Sequence, residues 1–292
     1  MIEEFAPAKV NLALHVTGRR ADGYHLLDSL VVFADAGDRL TFSQADADRL
    51  TISGRFAETL SDDAVPGSDN LVVRARDSLR DWAARVGMPT PPVHVHLEKN
   101  LPVASGIGGG SADAAATLRG LNRHWQLGVP HAELLSLGLA LGADVPMCIE
   151  SRPLVARGIG ERMVLIEDFP ELFLLLVNPL VGVSTPEVFR QLTNRDNLGL
   201  DLPREGAPVE QWLGTLAASR NDLQTTAERI EPKVTEALEL LRQVDPMLAR
   251  MSGSGGTCFG VYRTQVSLDR AWAKLEAERP EWYLQGVTIH RG

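Results

Sequence analysis

The sequence predicts an α+β protein of two domains, and three observations predict it. Segments of period-two alternation crowd the first hundred residues. Helical spacing then dominates, with only a few strand-like runs in the second half. The length, 292 residues, exceeds one ordinary domain and suits two meeting near residue 160. We therefore expect one domain over 1–160 and a second over 161–292.

The elements follow in order. From Lys9 to Val16 the residues Val10, Leu12, Leu14 and Val16 alternate with Lys9, Asn11, Ala13 and His15, the pattern of a strand with one apolar and one polar face. Asp22-Gly23 signals a tight turn into a second apolar strand, Leu26 to Phe33, and shorter strands are expected at Arg39 to Phe42 and Arg49 to Ser53. The stretch "PGSDN" at 66–70 offers capping residues, after which Leu71, Val72, Ala75, Leu79, Trp82 and Val86 recur at helical spacing. "PPVHVHLEKNLP" alternates Val93, Val95 and Leu97 against His94 and His96, and runs directly into "PVASGIGGGSADAAA". Helices are expected at Ser111 to Trp125 and His131 to Leu141. Beyond residue 160, "ELFLLLVNP" reads as a buried strand. Helices follow at Pro186 to Leu192, Val209 to Ala218, Pro232 to Val244 and Ser267 to Arg279, with strands at Thr257 to Tyr262 and Tyr283 to Ile289. "TNRDNLGLDLPREGAP" at 193–208 is the candidate for a long exposed loop.

Composition excludes several function classes. Apolar residues make up 44% and charged residues 23%, which is globular, and 29 basic against 38 acidic residues give a net charge of −9. No basic excess exists to neutralise a nucleic-acid backbone, and the tryptophans lie in no basic stripe. The two cysteines, Cys148 and Cys258, are distant and form no C-x-x-C pair, so buried small hydrophobes are expected rather than disulfides or a zinc site. His94-x-His96 has a metal-like spacing but no third ligand, and a solvent-facing strand pair is the expectation. No apolar run approaches membrane-spanning length, and the start has no leader pattern, which points to the cytoplasm.

The glycine segment lies between a strand and a helix. Glycines bring the backbone close to a ligand, and a helix start bares N–H groups and a partial positive charge, so the amides from about Gly106 to Ser111 form a candidate anion cradle. The alanines after it propagate the helix. The segment matches neither the P-loop, which needs a lysine after the glycines, nor the dinucleotide fingerprint, and alone it could be a close-packed turn with no ligand.

Three separated motifs narrow the choice: "PAKVNLALHVTGRRADGYH" at 7–25, "LPVASGIGGGSADAAATLRGLN" at 101–122 and "MSGSGGTCFG" at 251–260. In this order they resemble the GHMP small-molecule kinases, with Ile107 and Ala112 as mild departures in the glycine loop. The resemblance spans nearly the whole chain. It implies a two-domain GHMP kinase fold, with an N-terminal ribosomal-protein-S5-like nucleotide-binding domain and a C-terminal ferredoxin-like domain. It also implies ATP-dependent phosphorylation of an alcohol by direct transfer, with Mg²⁺. "RADGYH", "LGADVP" and "STPEVF" are similar to segments of members whose substrate carries a cytidine diphosphate group.

On that resemblance the catalytic pair falls on Lys9 and Asp144. ATP falls on Pro102, Val103, Ala104, Ser105, Gly106, Ile107, Gly108, Gly109, Gly110 and Ser111, the Ser111 hydroxyl being the candidate for Mg²⁺, directly or through water. The substrate falls on Asn11, on Tyr24 by stacking, on His25 by hydrogen bonds to the base, and on Thr185, Phe189, Gly253 and Ser254. The bland readings are an exposed strand lysine for Lys9, a turn residue for Asp144 and a helix's buried face for Phe189. "ARGIGE" at 156–161 and Asn221-Asp222 also resemble family segments, the dipeptide having a helix cap as its alternative. A kinase of a smaller alcohol such as homoserine or mevalonate, and a nucleotide-binding protein without turnover, remain the competing readings. No nucleic-acid or membrane partner is expected, and the protein is a monomer or a homodimer.

Overall fold

A computed structural model describes residues 1–60 and 69–290. Of the capping stretch at 66–70, Pro66, Gly67 and Ser68 lie outside the described residues; Asn70 is the cap, its side chain accepting from Val72 N. The elements run β1 (Ile2–Arg19), β2 (His25–Gln44), β3 (Arg49–Ser53), α1 (Leu71–Arg85), β4 (Val93–Glu98), α2 (Gly109–His124), α3 (His131–Leu141) and α4 (Val145–Glu150). They continue β5 (Leu154–Gly158), β6 (Arg162–Leu165), β7 (Leu172–Asn178), α5 (Thr185–Gln191), α6 (Val209–Ala218), α7 (Gln224–Ile230), α8 (Pro232–Arg242), β8 (Leu248–Met251), β9 (Cys258–Tyr262), α9 (Gln265–Glu278) and β10 (Tyr283–Ile289).

The chain divides into two compact units that do not follow a single cut in the sequence: residues 1–8, 37–103 and 108–151 form the first, and 9–36, 104–107 and 152–292 the second. Strands β1 and β2 supply residues to both.

In the first unit β4 pairs antiparallel with the C-terminal half of β2 and parallel with β3. Val93, Val95 and Leu97 of β4 are buried, as the alternation requires. His94 and His96 do not face solvent freely: Thr51 Oγ1 lies 2.8 Å from a ring nitrogen of each, and Ser53 Oγ 3.0 Å from His96 Nε2. Helix α2 rests on the sheet through Gly120, where any side chain would collide with the Phe42 ring. Arg119 joins α2 to its neighbours, donating to Glu4 Oε2, Phe5 O and Cys148 O.

In the second unit the N-terminal half of β2 pairs with β5, and β5 with β6, both antiparallel. A separate antiparallel sheet has the order β10-β7-β9-β8. Numbered within itself that order is 4-1-3-2 with a long helical connection after its first strand, α9 between its third and fourth, and β8-β9 adjacent. This is the split β-α-β arrangement of a ferredoxin-like domain. Leu175 and Val177 of β7, Leu238 and Leu241 of α8, Cys258 of β9 and Leu268 of α9 pack into its core. Both cysteines are buried thiols, and no described helix is long and apolar enough to cross a membrane.

The loop over 193–208 has no regular structure, but its first half is tied down. Asn197 donates to Val16 O from both its backbone and its side chain, and Leu200 N donates to Asp28 Oδ2. His15 Nε2 accepts from Arg220 N at 3.2 Å, so its ring proton sits on Nδ1 and is donated to Leu198 O at 2.9 Å.

Candidate active site

In the second unit β1 is covered on both faces, contrary to the single buried face its alternation suggests. Lys9 and Asn11 are each only 4% exposed. A buried polar face persists only if its groups find partners, and they do. Lys9 Nζ donates to Asn11 Oδ1 (3.2 Å), Asn11 Nδ2 to Ser29 Oγ (2.8 Å), and Ser29 Oγ to Ala13 O (2.8 Å). The amide of Asn11 is thus fixed in orientation, its oxygen turned to the lysine.

The same strand holds part of the glycine segment. Lys9 N donates to Ile107 O at 2.9 Å, while Asn11 N donates to Ser252 Oγ, which passes its own proton to Gly106 O. Thr257 N donates to Ser105 O from the other side. The 252–257 turn and the 105–107 strip are therefore pressed backbone to backbone. A Cβ on Gly106, whose φ is +75°, would lie 2.5 Å from Gly255 O and 2.7 Å from Ser252 O, and one on Gly253 would lie 2.9 Å from Gly106 O. Only glycine meets both demands, conformational and steric. Asn221 supports the turn from behind, its Nδ2 donating to Met251 O and Gly253 O at 2.8 Å. Asp222 takes the N–H of Val16 at 2.7 Å, so the dipeptide braces the third motif against β1, while Asn221 Oδ1 also accepts from Leu223 N at 2.9 Å just ahead of α7.

The first unit carries the rest of the glycine segment. Gly108, with φ +66°, is the N-cap of α2, and the first helical bond is Ala112 N to Gly108 O. The N–H groups of Gly109, Gly110 and Ser111 precede that ladder at the positive end of a sixteen-residue helix. Asp144 occupies the N-cap position of α4, ahead of Pro146, but its carboxylate makes no capping bond to that helix.

Beneath α2 lies a cluster the sequence reading missed. Lys99 Nζ is 2.5 Å from Asp38 Oδ2 and 2.7 Å from Asp113 Oδ2, and all three side chains are buried. Asp38 Oδ1 also accepts from Asn100 N and Leu101 N, so the cluster ties β2, the approach to the glycine loop, and α2 at one point. Burial pushes the Asp113 carboxyl up to about 8, with Lys99 opposing and Asp38 adding to the rise. Burial works against the Lys99 charge too, but Asp113 and Asp38 outweigh it and hold the ammonium above its ordinary range. The partners stand up to 75 residues apart in sequence, and the one local hint was an aspartate inside an alanine run.

Near the start of β2, the His25 ring stacks on Phe189 of α5, centroids 4.9 Å apart at 25°. His25 Nε2 is buried without a partner among the described residues. Burial lowers the pKa of this ring, and the positive charges of Arg195 and Arg19 lower it further, so the neutral imidazole is favoured. Tyr24 is 62% exposed in the preceding turn and takes no part in this stack. Thr185 and Ser254 meet through their hydroxyls at 2.5 Å. Lys9, Asn11, Ser105 to Ile107, His25, Thr185, Phe189, Gly253 and Ser254 all belong to the second unit, and Gly108 to Ser111 and Asp144 to the first.

These features define a class. The GHMP kinases N terminal domain matches residues 70–152 and the GHMP kinases C terminal domain residues 206–281. A 4-diphosphocytidyl-2-C-methyl-D-erythritol kinase of Rhizobium leguminosarum bv. trifolii is 55% identical over 291 residues, covering 100% of this chain and 96% of that protein. One from Agrobacterium fabrum is 55% identical over 285 residues, covering 97% and 95%. A crystal structure of a 4-(cytidine 5'-diphospho)-2C-methyl-D-erythritol kinase superposes with a TM-score of 0.79 at 32% identity, covering 99% of this chain and all of that one. A mevalonate kinase from L. major, at 14% identity and a TM-score of 0.68, shares the fold. The chain belongs to the GHMP kinase family and, within it, to the 4-diphosphocytidyl-2-C-methyl-D-erythritol kinases.

Proposed function

We propose that the protein transfers the γ-phosphoryl group of ATP to the 2-hydroxyl of 4-diphosphocytidyl-2-C-methyl-D-erythritol, a step in non-mevalonate isoprenoid precursor synthesis. The observation that carries this reading is the buried Lys9 ammonium, oriented through Asn11 and Ser29, on a residue whose own backbone N–H holds Ile107 of the glycine segment.

In this reading the glycine-segment amides hold the ATP phosphates, and the α2 N-terminus adds its dipole. Asp144 orients the attacking hydroxyl and takes its proton as the bond to phosphorus forms. Lys9 offsets the charge that spreads over the transferring group. In so loose a transition state, placement and electrostatics outweigh the strength of the base. No cluster of three or more acidic, histidine or cysteine ligands occurs among the described residues. Mg²⁺ needs only one or two protein groups when phosphates supply the others, so Ser111 at the start of α2 fits that role. Bound there, the ion would neutralise phosphate charge. Asn11, Tyr24, His25, Thr185, Phe189, Gly253 and Ser254 receive the cytidine-bearing alcohol. We also assign the functional halves 1–160 and 161–292 and a cytoplasmic site of action.

The test offers purified protein ATP, Mg²⁺ and a panel of alcohols while ADP release is followed. Release should require the cytidine diphosphate substrate, and exclusive use of homoserine or mevalonate would overturn the assignment. Asp144→Asn and Lys9→Ala should each lower kcat by about 10²-fold or more with ATP affinity retained. Near-normal turnover in either variant removes that residue from the pair.

A further inference from the structure

We propose that Arg19 and Arg195 grip the diphosphate of the cytidine substrate, so that the His25–Phe189 stack selects a charged nucleotide over the bare nucleoside. The proposal rests on the reading that this stack receives the cytidine end.

Both arginines flank His25 from separate elements. Arg19 ends β1 and is held to the turn leading to His25 by its Nε–H, which donates to Gly23 O at 3.1 Å. Arg195 follows α5, the helix that carries Phe189, and is held by its Nε–H on Leu192 O at 2.9 Å. Burial is the main cause of the lowered pKa of the imidazole, and the positive charges of Arg195 and Arg19 add to it.

What separates these two from the arginines around them is their counter-charge. Arg20 pairs with Asp22 at 2.7 Å, Arg157 with Asp28 at 3.2 Å, and Arg190 with Glu187. Arg19 and Arg195 have no carboxylate within ion-pair distance among the described residues. The nearest acid along the chain with no ion pair of its own is Asp196, whose exposed side chain follows Arg195. In a protein of net charge −9, two such guanidinium groups beside an aromatic stack form a local anion site. Guanidinium forks match phosphate oxygens in geometry and charge. A base seated on the stack carries its phosphates outward through the ribose, toward groups on the rim. An uncharged nucleoside gains nothing from them.

The experiment is calorimetric titration of the full-length protein at low salt with cytidine, CDP, ADP and pyrophosphate. Wild-type protein should bind CDP about tenfold or more tighter than cytidine, the scale of one or two charge-assisted hydrogen bonds. An Arg19→Gln/Arg195→Gln double variant should hold CDP no tighter than cytidine, with cytidine and ADP affinities unchanged. Unchanged CDP affinity in that variant overturns the pair's role, as does an equal loss toward ADP or pyrophosphate binding as strong as CDP. Wild-type protein that binds neither cytidine nor CDP overturns instead the placement of the substrate on the stack, and the pair's role falls with it.

Discussion

Replacing Lys99 by methionine tests whether the buried charge cluster holds the base of the glycine segment. The substitution keeps the length and much of the apolar stem of the side chain while deleting the ammonium. It leaves Asp38 and Asp113, with side chains 0% and 4% exposed, facing each other without the cation that each contacts at 2.5–2.7 Å. Breaking one partner out of a buried ion cluster costs about 3–5 kcal/mol. Asp113 already favours its protonated form and can shed its charge, so the lower end, about 3 kcal/mol, is expected. That is about a hundredfold in the folding equilibrium. Urea unfolding followed by circular dichroism should show the lower midpoint, and amide exchange in the first turns of α2 should accelerate more than in α8. A neutral triple variant, Asp38→Asn, Lys99→Met and Asp113→Asn, should recover at least half of the loss, because it removes the stranded charges along with the cation. A Lys99→Met protein within about 0.5 kcal/mol of wild type would refute the cluster's structural role.

Two further outcomes follow from the geometry. Gly106→Ala puts a methyl group 2.5 Å from Gly255 O at a left-handed φ, a strain of about 1–3 kcal/mol; steady-state kinetics should show kcat/KM for ATP falling about tenfold, and a wild-type value would mean that the two backbones are not locked together. Asp48 has its pKa depressed below the ordinary 3.8, chiefly by the hydrogen bond from Arg80. Its contribution to stability is therefore complete above the unfolded value and lost as pH falls through the folded one. Asp48→Asn should flatten the stability profile below about pH 4 in acid-unfolding curves, and an unaltered acid limb would rule the ion pair out as a source of stability.

Long periodic segments were legible in the sequence. α3, α6 and β10 fall where the patterns place them, and α2 starts two residues early because the glycines themselves enter the helix. Short elements were not: β6 and β8 have four residues each, too few to display a period, and α7 carries two threonines that blur its helical signal. The alternation in β1 correctly put Lys9 and Asn11 on one side. It could not show that the polar side is buried, because Ser29, which satisfies the Asn11 side chain, comes from another strand. Likewise Lys99 reads as an ordinary charged residue after a strand until Asp38 and Asp113 are brought to it. Residue identity reports on periodicity, while the pairing of buried polar groups depends on contacts between distant parts of the chain.

The uneven fastening of the 193–208 loop divides it for protein engineering. Upstream of Leu200, backbone and side-chain bonds to β1 and β2 fix the path, so added residues there would pull on the strand that carries Lys9 and Asn11. Downstream, Arg204, Glu205 and Gly206 form an exposed turn closed by Ala207 N on Arg204 O at 3.1 Å. A fluorophore-bearing cysteine or a short affinity peptide belongs at Glu205, where the chain can bulge outward without disturbing β1.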